Sequence, residues 1–143
     1  MSVNKRNSEG YFDPTAYEAL SKIEREAKQV RAYRPLVYVC SPLSGDMERT
    51  AENARRYCRF AVDSGCIPLA PHLYFPQFTD DGNGAERNLA LFMDFVLLPK
   101  CAELWVFGEI ISKGMSIEIE KARRKNQTIR WFTVNCKEVT HHA

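Results

Sequence analysis

The chain has 143 residues, 45% of them hydrophobic and 27% charged, with a formal net charge of +2. That composition is ordinary for a globular chain able to bury roughly 70% of its unfolded surface, and so small a charge argues against a nucleic-acid polymer or a membrane surface as partner. No run of 18 apolar residues occurs and the opening Met1–Gly10 is polar, so the sequence reads as cytoplasmic, with neither a transmembrane span nor a secretory signal.

Residues 1–12 are polar and aperiodic, which predicts disorder. Asp13 is a plausible N-cap with Pro14 at the first helical position, and Leu20, Ile23, Ala27 and Val30 recur at helical spacing. An amphipathic helix follows within 13–34, its apolar face needing a partner, either the body of the protein or a second subunit. Residues 35–135 then alternate strand and helix. Leu36–Cys40 is a nearly continuous apolar run, as expected of a strand buried on both faces. A helix is expected from about Glu48 to Ser64, ended by Gly65, and a second strand over Ile67–Ala70. A long loop spans Pro71–Gly84 before a helix over about Ala85–Leu98. The third strand is Leu104–Phe107, the next helix runs from Gly114 to about Lys125, and a fourth strand covers Ile129–Val134. Residues 136–143 read as a loose tail.

Strand–helix–strand units of this length predict an α/β fold, a small doubly wound parallel sheet of flavodoxin or Rossmann-like type with order 2-1-3-4. Ligands of such sheets bind beyond the carboxyl ends of the strands, where the loops after Cys40, Ala70 and Phe107 share one rim.

The first rim loop, Ser41–Asp46, combines hydroxyls, Gly45 and the start of a helix, a setting that suits a phosphate or ribose. It carries no dinucleotide or P-loop fingerprint. Ser44 and Asp46 either cap the helix or contact a ligand, and Asn53 either reaches the rim or faces solvent. The second loop is aromatic, Pro71-His-Leu-Tyr-Phe-Pro-Gln-Phe78, which fits a base or sugar plane or a cluster covering the sheet end. His72 is a ligand contact or a hydrogen-bonded structural residue. Asp80–Gly84 lacks the later ligands of a calcium loop and reads as a turn and cap. After the third strand, Gly114 would let the backbone turn close to a ligand. Glu118 lies early in the following helix, where the helix dipole favours its ionised form, as a nucleophile at an anomeric carbon requires. A solvent-exposed helix glutamate is the alternative.

The five cysteines, Cys40, Cys58, Cys66, Cys101 and Cys136, are odd in number and form no C-x-x-C pair. They read as reduced thiols rather than a disulfide framework or zinc site.

The segment Gly114-Met-Ser-Ile-Glu118-Ile-Glu-Lys-Ala122 resembles the G-x-x-x-E-[LI]-G-x-A signature of the nucleoside 2-deoxyribosyltransferases and the related deoxynucleoside monophosphate N-glycosidases. Tyr38-Val-Cys40 with Ser44-Gly45 is similar to that superfamily's first strand and sugar or phosphate loop. The stretch from Asp94 to Cys101 resembles its helix ahead of the third strand. The runs around Cys40, His72 and Trp105 are similar to a phage- and bacteria-associated branch without an assigned function. Two departures stand out, Glu120 at the motif glycine and Ala102 at an aspartate position. The resemblance implies an enzyme of N-glycosidic bonds, hydrolase or deoxyribosyltransferase. Glu118 would be its nucleophile and Asp94 would handle the proton at the base. Ser41, Ser44, Gly45, Asp46, Asn53, His72, Tyr74, Asp81, Arg87, Gly114 and Met115 would surround a nucleoside or nucleotide. It implies no metal or organic cofactor, and a homo-oligomer. The competing reading is a nucleotide-binding or signal-nucleotide-sequestering protein without turnover.

Overall fold

In the computed structural model the described residues are 14–30, 34–42, 46–80 and 82–140. The disorder expected over 1–12, the cap at Asp13 and the candidate residues Ser44, Gly45 and Asp81 lie outside them. The chain divides into two units, Met1–Arg34 and Pro35–Ala143. The first contains α1 (Pro14–Val30), a helix whose Ile23 side chain is 61% exposed.

The second unit is built around a five-stranded sheet of order β2-β1-β3-β4-β5. β1 (Leu36–Cys40), β2 (Ile67–Leu69), β3 (Glu103–Phe107) and β4 (Thr128–Phe132) are parallel, and β5 (Glu138–Val139) runs antiparallel to β4. Between the strands lie α2 (Met47–Asp63), α3 (Pro71–Tyr74), α4 (Gly84–Leu97) and α5 (Lys113–Arg124). The four parallel strands have the expected order, and two expectations need correction. Part of the presumed loose tail is β5, held by a bidentate pair from Arg130 to Glu138 at 2.7 and 2.8 Å. The presumed loop after β2 folds into α3 and a 3₁₀ turn, Phe75–Gln77, because Pro71 and Pro76 each occupy the start of a helical turn, where no N–H is needed.

Alternation along the strands sorts the core into two layers. Val37, Val39, Trp105 and Phe107 point to the α2 side, against Tyr57 and Ala61. Tyr38, Cys40, Leu104 and Val106 point to the other side, against Met115, Ile119 and Ala122 of α5. On the first side Tyr57 stacks on Phe107 at 4.2 Å, and Phe107 on Phe132 at 5.0 Å. Burying each such strand side chain stabilises the fold by roughly 1.5–3 kcal/mol. Gly65 (φ 86°) ends α2, and Gly108 (φ 92°) turns the chain at the exit of β3. This layering fixes the site: whatever follows Cys40 and Val106 emerges at one edge of the sheet, paired in register.

Candidate active site

Glu118 lies in the second turn of α5, whose start is capped by Ser112 accepting from the Met115 N–H at 3.2 Å. Its neighbours on the same helix, Met115 and Ile119, are buried, so the helix turns this part of its surface toward β1. The Cys40 thiol donates to Glu118 Oε1 at 3.7 Å, and the Tyr38 hydroxyl also donates to the carboxylate. Glu118 therefore sits at the carboxyl end of the first strand, partly buried rather than in open solvent. Burial pushes its pKa up to about 7, while the bonds from Tyr38 and Cys40 pull it back down. Burial thus acts against the ionised form that the helix dipole favours.

Asp94, on the inner side of α4, belongs to the same cluster. Burial, and then the charge of Glu118, push it up to about 7. Its Oδ1 is buried and receives no hydrogen bond from any described residue. Two carboxyl groups sensing one another give up their protons in coupled steps, so near neutral pH the pair holds about one proton. The charge of Glu118 adds to the effect of burial on Asp94, so the two groups titrate as a pair. The Tyr38 phenol and Cys40 thiol are themselves pushed upward by burial and by Glu118, so both remain proton donors. Tyr38 and Cys40 were absent from the sequence-predicted set because both read as strand core. The period-2 alternation that puts them on the α5 side was the signal that would have found them.

The remaining candidates scatter. Ser41, one residue past Cys40 and therefore on the opposite side of the sheet, is buried, with Oγ and His72 Nε2 hydrogen-bonded at 2.8 Å. Burial pushes His72 down to about 4, so the ring is neutral at pH 7. It forms part of the wall of a cavity of about 490 Å³ together with Thr50, Arg55 and Gln77. Asp46 caps α2, accepting from the Arg49 N–H at 3.1 Å. Asn53 accepts from Arg56 at 3.3 Å, and Arg56 also donates to the Val134 carbonyl. Tyr74 is exposed and meets Phe78 edge-on at 4.9 Å, the covering-cluster arrangement. Asn83 caps α4 through the Ala85 and Glu86 N–H groups, which bears out the turn-and-cap reading of this loop. Arg87 is exposed on the first turn of α4. Of the two candidates from the glycine motif, Gly114 stands where an added Cβ would meet nothing within 4 Å, and Met115 is 2% exposed and packs in the core beneath α5.

A second cavity, of about 520 Å³, lies on the other flank of α5, between Ser116, Ile119 and Arg123 and the β4 residues Trp131 to Thr133. Neither cavity is lined by Glu118. Among the described residues no group of three or more metal-ligating side chains occurs, and no helix is long and apolar enough to cross a membrane. The five cysteines carry no disulfide.

No curated protein matches the chain. Among solved structures it is similar to a 2-deoxyribosyltransferase from the psychrotolerant bacterium Bacillus psychrosaccharolyticus, at 15% identity, with a TM-score of 0.54 over 74% of this chain and 77% of that one. At that identity the likeness is one of fold. Residues 35–132, the whole of the sheet except β5, match the model of a domain of unknown function, DUF7768, and the chain belongs to that family.

Proposed function

We propose that the chain is an enzyme acting on the N-glycosidic bond of a nucleoside or nucleotide, with Glu118 as nucleophile and Asp94 as the acid and base. The observation that carries this reading is the carboxyl pair itself. The two carboxyl groups share one buried cluster with Tyr38 and Cys40, and burial raises both toward neutral pH, so one can be ionised while the other holds a proton, the division of labour that displacement at an anomeric carbon needs. The Glu118 carboxylate forms a bond to the anomeric carbon as the bond to the base nitrogen breaks. The departing electron pair takes the Asp94 proton. Water, or a second base, then attacks the same carbon and gives its proton to Asp94, releasing Glu118. Tyr38 and Cys40 hold the carboxylate in place. Ser41 and His72 are the proposed contacts on the other side of the strand exit, and Arg87 the proposed contact for a phosphate. Fold similarity to a protein named as a 2-deoxyribosyltransferase supports the same class of substrate.

The test is incubation with a panel of deoxynucleosides, ribonucleosides and their monophosphates, with free base followed by chromatography. Release of base that falls roughly 10³-fold or more in Glu118→Gln is the expected result. Release undiminished in that variant overturns the assignment, and tight binding without release favours a nucleotide-sequestering protein.

A further inference from the structure

α4 is more apolar than α1, α2 or α5, yet none of its residues is buried. Its exposed side chains are not scattered. Ala85, Leu89, Phe92, Val96 and Pro99, separated by four, three, four and three positions, are all exposed, Phe92 at 62%. Pro99 lies in the 3₁₀ turn Leu98–Lys100 that continues the helix. A 4-3 alternation is the seam of a helix that packs along its length against another helix. Asp94 lies about half a turn away from this seam, so one face of α4 serves the carboxyl pair while the other is apolar and is not packed against the sheet. Lys121 lies 4.8 Å over the Phe95 ring and marks one border of the seam. The other border carries Glu86 near one end and Lys100 at the other, and neither enters an ion pair among the described residues.

We infer that this seam is a self-association surface on which two copies of the chain pair their α4 helices antiparallel across a two-fold axis. The seam and its charges fix one register. With the axis at the level of residues 93–95, Phe92 meets Val96 of the second copy and Leu89 meets Pro99. Glu86, on the flank, then meets Lys100. Charge complementarity favours a second copy of the chain as occupant, because the acidic and basic ends of one border satisfy each other only when the helix is paired with itself reversed. Parallel pairing would set this border against the opposite one, which carries Asn88 and Phe95, and leave Glu86 and Lys100 apart. The surface lies on the side of α4 away from Glu118, so the inference stands or falls independently of the proposed chemistry.

Sedimentation velocity on the full chain is the test, read as mass against concentration. The expected species has twice the 16.4 kDa chain mass, and Phe92→Glu converts it to a monomer with unchanged circular dichroism. Because that substitution is drastic, the register is tested by charge reversal. Glu86→Lys or Lys100→Glu alone is expected to weaken the dimer roughly 5- to 10-fold, and the two together to restore it. Ile23→Glu in α1 leaves the dimer intact. A wild-type chain that stays monomeric at ~100 μM overturns the inference. So does a dimer that survives Phe92→Glu, one that Ile23→Glu dissociates, or a double charge reversal that fails to recover association.

Discussion

Holding a carboxyl group out of water favours its protonated form, and the sign of that preference makes the site measurable without a substrate. Glu118 ionises near its model value of 4.5 when the chain is unfolded and at about 7 when it is folded. Between those values the folded state binds more protons, so stability is greatest below about pH 4.5, declines as pH rises, and levels off above about pH 7. Asp94, raised from 3.8 to about 7, adds a decline of the same sign. Glu118→Gln removes the part that belongs to Glu118. The variant is expected to match the wild type near pH 4 and to exceed it above pH 8 by about 2–3 kcal/mol, seen as a higher melting temperature with a flatter pH profile. A variant less stable than wild type at pH 8 contradicts the burial of the ionised group. Glu118 and Asp94 were legible in the sequence through the motif around Gly114 and the helix ahead of β3. The protonation state was not, because the helix dipole is a local property whereas desolvation comes from β1, 78 positions away in the chain. For the same reason Tyr38 and Cys40 looked like strand filler until α5 was laid across them.

At the level of elements, the strands and the principal helices were readable because each carries its own period and its own stop signal, as Gly65 does for α2. β5 was not, since two residues leave no alternation to detect. α3 was hidden by prolines that mark a loop in most contexts and open a helical turn here. The first rim loop shows how one residue type supports two readings. Asp46 accepts from the Arg49 N–H and satisfies an orphan donor of α2. Asp46→Ala is therefore expected to cost about 1 kcal/mol in urea denaturation, with nucleoside affinity within twofold of wild type. A loss of affinity larger than the loss of stability would return Asp46 to the ligand set.

For the molecule as a whole, the edge of the sheet is sealed by one side chain with four attachments. Arg130 binds Glu138 on β5, approaches Glu103 at 3.7 Å, and lies over the Trp105 ring at 4.8 Å and the Phe132 ring at 5.4 Å. β5 pairs with β4 in only two register positions, Trp131 with Val139 and Phe132 with Glu138, so this arginine is its principal tether. Arg130→Ala is expected to lower stability by about 1–2 kcal/mol, mostly through lost cover over the rings. Hydrogen exchange should show the amides of Glu138 and Val139 losing protection before those of β1 and β3.

The two tryptophans occupy unlike surroundings, and that difference gives the molecule a built-in optical readout. Trp105 is sealed in the interior, whereas Trp131 is only partly covered and forms part of the wall of the cavity beside β4. Its indole emission is expected to carry a red-shifted component that changes when a molecule enters that cavity, while Trp105 is expected to supply a constant blue-shifted background. Fluorescence titration thereby separates occupancy there from events at Glu118, with no label attached.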